Sequence, residues 1–336
     1  MGTAACNFIS QYVDVKEGTT AIMSTTTRFN IEHLPEKKYT GIVNLKKTND
    51  IRYINKFFES VNAKLGHAGM FVGCVETLEL RKLRILKKFV WGASHVYFFF
   101  DFILKRLFPK FPITKQLYFF LTRGQNRVLS KAETLGRLYS CGFYVIGEGE
   151  MDGYYWFAVA KNNKPVFDLN PTYGALIRLR RIGKGGKIIK VYKMRTMHPY
   201  AEYLQEYIYE TNKLDEGGKF KNDFRVSALG KFMRKYWIDE LPMIINLLRG
   251  DLKIVGVRPL SKHYYSLYTK ELQENRIKTK PGLVPPFYAD LPHTLEEIMD
   301  SESRYLAAYN LAPFKTDVRY FFKAFKNIVF KRALSK

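Results

Sequence analysis

Residues 236–259, YWIDELPMIINLLRGDLKIVGVRP, set two carboxylates, Asp239 and Glu240, directly before a short apolar run. Leu241, Ile244, Ile245 and Leu248 recur at three- and four-residue steps, which predicts a short helix with one apolar face. Pro242 fits a helix only in its first turn, and Gly250 suits its end. A helix N-terminus carries partial positive charge and free N–H groups that stabilise a carboxylate or a phosphate. On this stretch alone, an N-cap at Asp239 accounts for the first acid.

Working outward, the flanking segments are basic. Upstream, RVSALGKFMRKYW reads as a helix with Val226, Leu229, Phe232 and Met233 on one face and Lys231, Arg234 and Lys235 off it. Before that, polar residues 198–224 read as helical in pieces. ALIRLRRIGKGGKIIKVYKMRT (175–196) predicts a basic hairpin, since Ile177 and Leu179 alternate with Arg178 and Arg180 around a Gly-rich turn at 183–186. That turn is either a plain reversal or a phosphate cradle. Downstream, 316–336 reads as a basic amphipathic helix. Val318, Phe321, Phe322, Phe325, Ile328 and Val329 form its apolar face, and Lys323, Lys326, Lys331 and Arg332 surround it. Such a helix suits an anionic membrane surface or the protein's own core.

Turn residues at 161–174 mark a boundary, and the part before it has another pattern. YTGIVNL (39–45) reads as a strand, 49–65 as a helix capped by Asn49 or Asp50, and GMFVGCVE (69–76) as a second strand. Strand–helix–strand predicts a parallel sheet. A helix capped at Ser130 and a hairpin turning at Asp152-Gly153 follow. Over 39–161 the pattern is similar to the later half of a Rossmann-like methyltransferase. No Gly-rich nucleotide loop follows the first strand, however, so methyl transfer is not expected and a structural or regulatory role is. Residues 1–38 carry little pattern and read as partly extended, with no signal peptide. The apolar segment 89–108 contains His95 and Asp101 and falls short of the roughly 18 uncharged apolar residues of a spanning helix. It reads as a stretch lying in one leaflet, or as a buried helix.

Composition sets the frame. A chain of 336 residues, 46% hydrophobic, has room for two domains and is not globally disordered. Its 55 Lys plus Arg outnumber 31 Asp plus Glu, a net charge of +24, which implies an anionic partner: nucleic acid, acidic membrane or phosphorylated substrate. Cys6, Cys74 and Cys141 are too scattered for a disulfide framework or a zinc site, and Cys74 and Cys141 read as buried thiols.

The motifs occur in a fixed order: GKGGKIIKVYKMRTM, then DFRVSALGKFMRKYWIDELPMIINLLRGDLKIVGVRPL, then KTKPGL. Over about residues 171–332 this resembles the bacterial sugar transferase family, the monotopic polyprenyl-phosphate phosphoglycosyl transferases of exopolysaccharide and glycan assembly. The resemblance implies transfer of a sugar 1-phosphate from a UDP-sugar to polyprenyl phosphate, with release of UMP. It implies Asp239 as nucleophile, through a covalent phosphosugar–aspartyl intermediate, and Glu240 as its partner, either in holding Mg2+ or in positioning the acid. Lys193, Arg195 and Arg234 would hold phosphate oxygens, and Arg258 the nucleotide or its phosphates. Three departures stand out. Val257 replaces the first proline of the usual GPRP. KPGLVPPFY stands for the usual PGITG segment. No long apolar re-entrant hairpin precedes the basic hairpin, so the apolar stretch 89–120, broken at Pro109 and Pro112, is expected to take the membrane role.

The resulting expectation is an α/β N-terminal part, partly Rossmann-like, followed by an α+β phosphoglycosyl transferase domain with a basic β-hairpin and amphipathic membrane-surface helices. The divisions are 1–38, 39–165 with an apolar insertion near 87–122, and 166–336. The expected setting is the cytoplasmic face of the bacterial inner membrane, with UDP-sugar, polyprenyl phosphate and anionic lipid as partners. A non-catalytic scaffold of polysaccharide assembly is the alternative. No nucleic-acid partner is expected, since no recognition motif, zinc spacing or RNP-like strand is present.

Overall fold

Strand β2 (Tyr39–Asn44) buries its last four residues in a row, and its neighbour β3 (Leu65–Val75) buries its last five. Continuous burial means that both sheet faces are covered, as in parallel sheets flanked by helices. The computed structural model describes residues 2–90, 92–166, 174–212, 214–215, 219–220 and 223–330. With β1 (Thr20–Met23), β4 (Phe143–Met151) and β5 (Tyr154–Lys161), these strands form a five-stranded sheet in the order β1-β2-β3-β5-β4. β1, β2 and β3 run parallel, while β5 lies antiparallel between β3 and β4. The β4–β5 turn places both Asp152 and Gly153 at positive φ, as a tight two-residue hairpin requires.

The two sheet faces are filled differently because adjacent residues point to opposite sides. Val72, Cys74, Trp156 and Ala158 face the helix Thr3–Tyr12, which contributes Ala5, Phe8 and Ile9. Phe71, Phe143 and Phe157 face the helix Ile54–Lys64, where Phe58 meets Phe71 edge-on at 5.8 Å between ring centroids. The N-terminal segment is thus partly extended, in β1, and otherwise contributes a core helix that its sequence pattern did not mark. That helix spans ten residues, shorter than the window over which helical periodicity is read. Cys74 and Cys141 are buried thiols, as expected, and burial pushes both up to about 12.

The helix read over 49–65 begins only at Ile54, and neither Asn49 nor Asp50 caps it. Asn49 is fully buried and engaged elsewhere. Its amide accepts from Glu76 N at 2.7 Å and donates to Glu76 O at 2.9 Å and Arg127 O at 2.8 Å. The helix Lys131–Ser140 does start as its sequence suggests, with Ser130 Oγ accepting from Glu133 N.

The apolar segment 89–108 breaks into a helix Ala93–Phe102 and a wider turn Ile103–Leu107, and a further helix follows at Pro112–Thr122. Among the described residues no helix is long and apolar enough to cross a membrane. Asp101 is buried in an ion network. Its carboxylate takes Arg81 Nε at 2.6 Å, Arg81 Nη2 at 2.9 Å and Lys105 Nζ at 2.9 Å, while Arg81 also reaches Glu76. Burial opposes the charge of Asp101, but the two cations outweigh it and hold the carboxyl below its usual range. Val96, Phe99, Phe100, Ile113 and Phe120 remain exposed.

The chain forms two compact units. One holds Met1–Tyr173 and His198–Tyr207, the other Gly174–Met197 and Ile208–Lys336. Within the second, β6 (Leu176–Ile182) and β7 (Ile188–Met194) form the basic hairpin, in register from Leu176↔Met194 to Ile182↔Ile188. Val255, Val257, Tyr268, Tyr288, Tyr305 and Leu306 build its main core. The helix Pro313–Phe330 packs through Thr316, Tyr320, Ala324 and Asn327, with Asn327 Nδ2 donating to the carbonyls of Tyr288 and Ala289. The face rich in phenylalanine points outward, with Phe314, Phe322 and Phe325 exposed. The helix thus packs on the protein's own core through the face opposite the predicted apolar one. Lys331 and Arg332, and residues 167–173 of the 161–174 boundary, lie outside the described residues.

Asn49→Ala should strip three buried backbone groups of their partner. A loss of roughly 3 kcal/mol or more is expected in chemical denaturation, at about 1–3 kcal/mol for each buried group left unsatisfied.

Candidate functional site

The acid pair sits on a 3-10 turn, Ile238–Met243, that leads into the helix Ile244–Leu248. Asp239 is not an N-cap. Trp237 holds that position in the left-handed region, φ +61°, without a side-chain cap, and Asp239 lies one residue inside. The expected apolar face of Leu241, Ile244, Ile245 and Leu248 is exposed, whereas Met243 and Asn246 are buried. Asn246 anchors the helix to β7: it accepts from Tyr192 N at 2.9 Å and donates to Lys190 O at 2.8 Å and Asp251 Oδ2 at 3.1 Å. A buried amide inside an apolar run must find such partners. The sequence carried that signal, yet sequence reasoning passed over Asn246.

The neighbouring motif residues are geometric supports. Arg225 forks onto Asp223, with Nε–Oδ1 at 2.9 Å and Nη2–Oδ2 at 2.7 Å. Ser227 caps the helix Ala228–Lys235 by accepting from Gly230 N at 2.9 Å. A Cβ on Gly230 would lie 1.9 Å from Thr196 O, so this helix can meet the end of the hairpin only through glycine. Gly282 is equally constrained, since its Cβ would lie 2.1 Å from Gly256 N. The parallel strands Lys253–Val255 and Gly282–Val284 join the GVRP and KPGL stretches there. Val257, the residue replacing proline, is buried in the core beside them.

These supports bring Lys193 of β7 to the acids. Its Nζ lies 2.6 Å from Glu240 Oε1. Both acids are buried, and Asp239 Oδ1 accepts no hydrogen bond among the described residues. Burial raises the Asp239 carboxyl above its ordinary range. Glu240 adds to the rise, while Lys193 and Arg234 oppose it. Arg234 donates Nε to Thr196 Oγ1 at 3.1 Å, and burial lowers its guanidinium against the field of Asp239.

A cavity of ≈ 230 Å³ opens beside Glu240 and Lys193, and Arg181 and Arg258 also line it. Arg181 is lowered by burial and by the like charge of Arg258. Aromatic walls complete the cavity, and Arg258 lies over the Phe287 ring at 5.5 Å. Asp239, next in the chain to Glu240, and Arg234 are not among the lining residues. Arg195 is placed apart, its Nε donating to Gly174 O at 3.0 Å near the start of the hairpin. Arg181 was missed, because alternation marks it only as one more cation on a basic strand. Among the described residues no three His, Cys, Asp or Glu side chains gather as a metal site. Asp239 and Glu240 offer two carboxylates, and Mg2+ accepts so few when phosphates and waters complete its octahedron.

The family model described as bacterial sugar transferase matches residues 166–331. That segment belongs to the bacterial sugar transferase family. The relatives that align with this chain include three sugar transferases. A galactosyl transferase CpsE of Streptococcus agalactiae is 38% identical over 32% of this chain and 24% of its own length. An undecaprenyl-phosphate galactose phosphotransferase of Salmonella typhimurium is 30% identical over 39% of this chain and 26% of its own. An uncharacterized sugar transferase EpsL of Bacillus subtilis is 39% identical over 31% of this chain and 45% of its own. The alignments thus span less than half the length of each relative. The sugar transferase segment contains the acid pair and every cavity-lining residue named above.

The Asp239 shift has a stability consequence. A carboxyl raised in the folded state binds a proton there more tightly than in the unfolded chain, so stability falls as pH rises from the ordinary carboxylate range through the raised value. Asp239→Asn removes that loss. The variant should unfold at higher denaturant than the parent at neutral pH, and the gap should close as pH drops through the carboxylate range.

Proposed function

We propose that this chain transfers a sugar 1-phosphate from a UDP-sugar to polyprenyl phosphate. The observation that carries the reading is the buried Asp239–Glu240 pair, with Lys193 on Glu240 and a cavity lined by Arg181 and Arg258 alongside. The relatives' names, among them an undecaprenyl-phosphate galactose phosphotransferase, support the same reaction class.

Asp239 Oδ1 attacks the β-phosphorus of the UDP-sugar, and the bond from that phosphorus to the bridging oxygen breaks to release UMP. A phosphate oxygen of the polyprenyl phosphate then attacks the aspartyl-bound phosphorus. The aspartyl bond breaks, and polyprenyl-diphosphate-sugar leaves with Asp239 regenerated. The orphaned, desolvated Oδ1 suits a nucleophile: it spends none of its lone pairs on a protein partner. Lys193, Arg181 and Arg258 offset the negative charge that a carboxylate meets on approaching a diphosphate. Arg234 steadies the ionised Asp239, and Arg195 guides phosphate from the hairpin end. Asp239 and Glu240 would hold Mg2+ together with diphosphate oxygens, and the ion would supply charge neutralisation there.

The exposed apolar residues Leu241, Ile244, Leu248, Phe322 and Phe325 belong to this reading too. Apolar side chains flanked by lysines and arginines suit an anionic bilayer surface, where each nearby cation contributes roughly 1 kcal/mol. The setting is the cytoplasmic face of a bacterial inner membrane, at the first step of exopolysaccharide or surface-glycan assembly. The apolar segment 89–120 adds a second contact with the bilayer.

Incubation with UDP-sugars and Mg2+ in the absence of lipid acceptor should add one phosphosugar to the intact mass of the parent and none to Asp239→Asn. Turnover of that variant should fall by roughly 10³-fold or more, the scale expected for loss of a nucleophile. No adduct, together with no UMP release when polyprenyl phosphate is added, would sink the proposal in favour of a scaffold. A Leu248→Glu, Phe322→Glu double variant should float less with anionic vesicles while keeping its fold by circular dichroism.

A further inference from the structure

The first unit contains a larger cavity, ≈ 580 Å³, with a wall of unusual charge. Arg52, Lys56, Arg106, Lys115, Arg127 and Arg137 line it, and Glu133 is the one acid in the lining. Glu133 is already engaged twice. It pairs with Arg106 and accepts from Arg137 Nη2 at 2.9 Å, and both arginines are buried. Lys56 leans on Glu59 at 2.9 Å. The surplus charge therefore lies on Arg52, Lys115 and Arg127. Arg127 donates Nη2 to Arg52 O at 2.9 Å, but its Nε is buried without a hydrogen-bond partner. Arg52 and Arg127 both lie over the Phe119 ring, at 5.0 and 5.6 Å, so the two like charges share one aromatic ring.

We propose that this cavity binds a phosphate or diphosphate group. Buried guanidinium groups are stable when their forks meet acceptors, and planar arginines match phosphate oxygens better than any other side chain. Here two carboxylates, Glu133 and Glu59, answer three of the six cations, and an anion carrying two or more charges balances Arg52, Lys115 and Arg127. Burial and the charge of Arg137 lower the Arg127 guanidinium, the direction expected of a site awaiting an anion. The phosphate can come from a soluble compound or from a lipid headgroup. Ile113 and Phe120, exposed on the helix that carries Lys115, would accept the chains of the latter. The site lies outside the sugar transferase segment and does not depend on the transfer reaction.

Hydrogen–deuterium exchange on the full chain tests it. The probes are inorganic pyrophosphate, phosphatidylcholine vesicles containing phosphatidic acid, and phosphatidylcholine vesicles alone. Exchange over residues 50–56 and 112–128 should slow severalfold with pyrophosphate, with the phosphatidic acid vesicles, or with both. Arg127→Gln and Lys115→Gln should each abolish that protection while any protection over 236–260 persists. Lys115 is exposed, so its loss cannot act by unfolding the unit. Protection by pyrophosphate assigns a soluble ligand, and protection by the acidic vesicles alone assigns a headgroup. No protection with any probe, equal protection by both vesicle types, or protection that survives both substitutions overturns the proposal.

Discussion

The 2.6 Å contact between Lys193 and Glu240 is where the second unit's construction and its chemistry meet. Two adjacent carboxylates inside a protein repel each other and lose their hydration, so neither is stable there without a cation. Lys193 reaches them only because β7 runs alongside the acid turn, and Asn246 fixes that approach through the backbone of Tyr192 and Lys190. The hairpin is thus more than a basic surface. It is the strut that delivers a positive charge to a desolvated acid pair, and the glycines at 230 and 282 let the other elements close in around it. The result leaves Glu240 partnered and Asp239 Oδ1 without a partner. That asymmetry places the two neighbouring acids in different electrostatic surroundings.

Much of this was legible in residue order. The hairpins at 152–153 and 183–186, the cap at Ser130 and the parallel β2–β3 pair follow from turn residues and period, which are local properties. The candidate site residues were legible through ordered motifs, because Gly230, Asn246 and Gly282 each have a steric or hydrogen-bonding reason to be what they are. What failed was assignment of direction. Leu241, Ile244, Ile245 and Leu248 have helical spacing, and spacing marks an apolar face without saying what covers it. Asn49 has the chemistry of a cap, yet long-range backbone groups claimed its amide first. Arg181 could not be told from its basic neighbours, because its lowered guanidinium arises from burial and from Arg258, distant in sequence.

The departures from the family pattern become physical once placed. Val257 points into the core beside Val255 and Leu260, so exchanging proline for valine there alters packing and leaves the cavity wall to Arg258 and Pro259. Its carbonyl still accepts from Gly282 N at 2.9 Å, which preserves the junction of the two short strands.

The net charge of +24 divides into distinct jobs. Some cations are consumed structurally, as Arg81 is by Asp101 and Glu76, and Arg225 is by Asp223. Others face one another without enough acid between them, and these collect in two places: around Glu240 in the second unit and around Glu133 in the first. Like charges held close in a partly buried wall raise the energy of the empty protein, and an incoming anion relieves it. A chain selected only for attraction to a bilayer would spread its lysines over an exposed surface. Here guanidinium groups instead gather along the walls of two cavities, where a compact, multiply charged group would meet several of them at once.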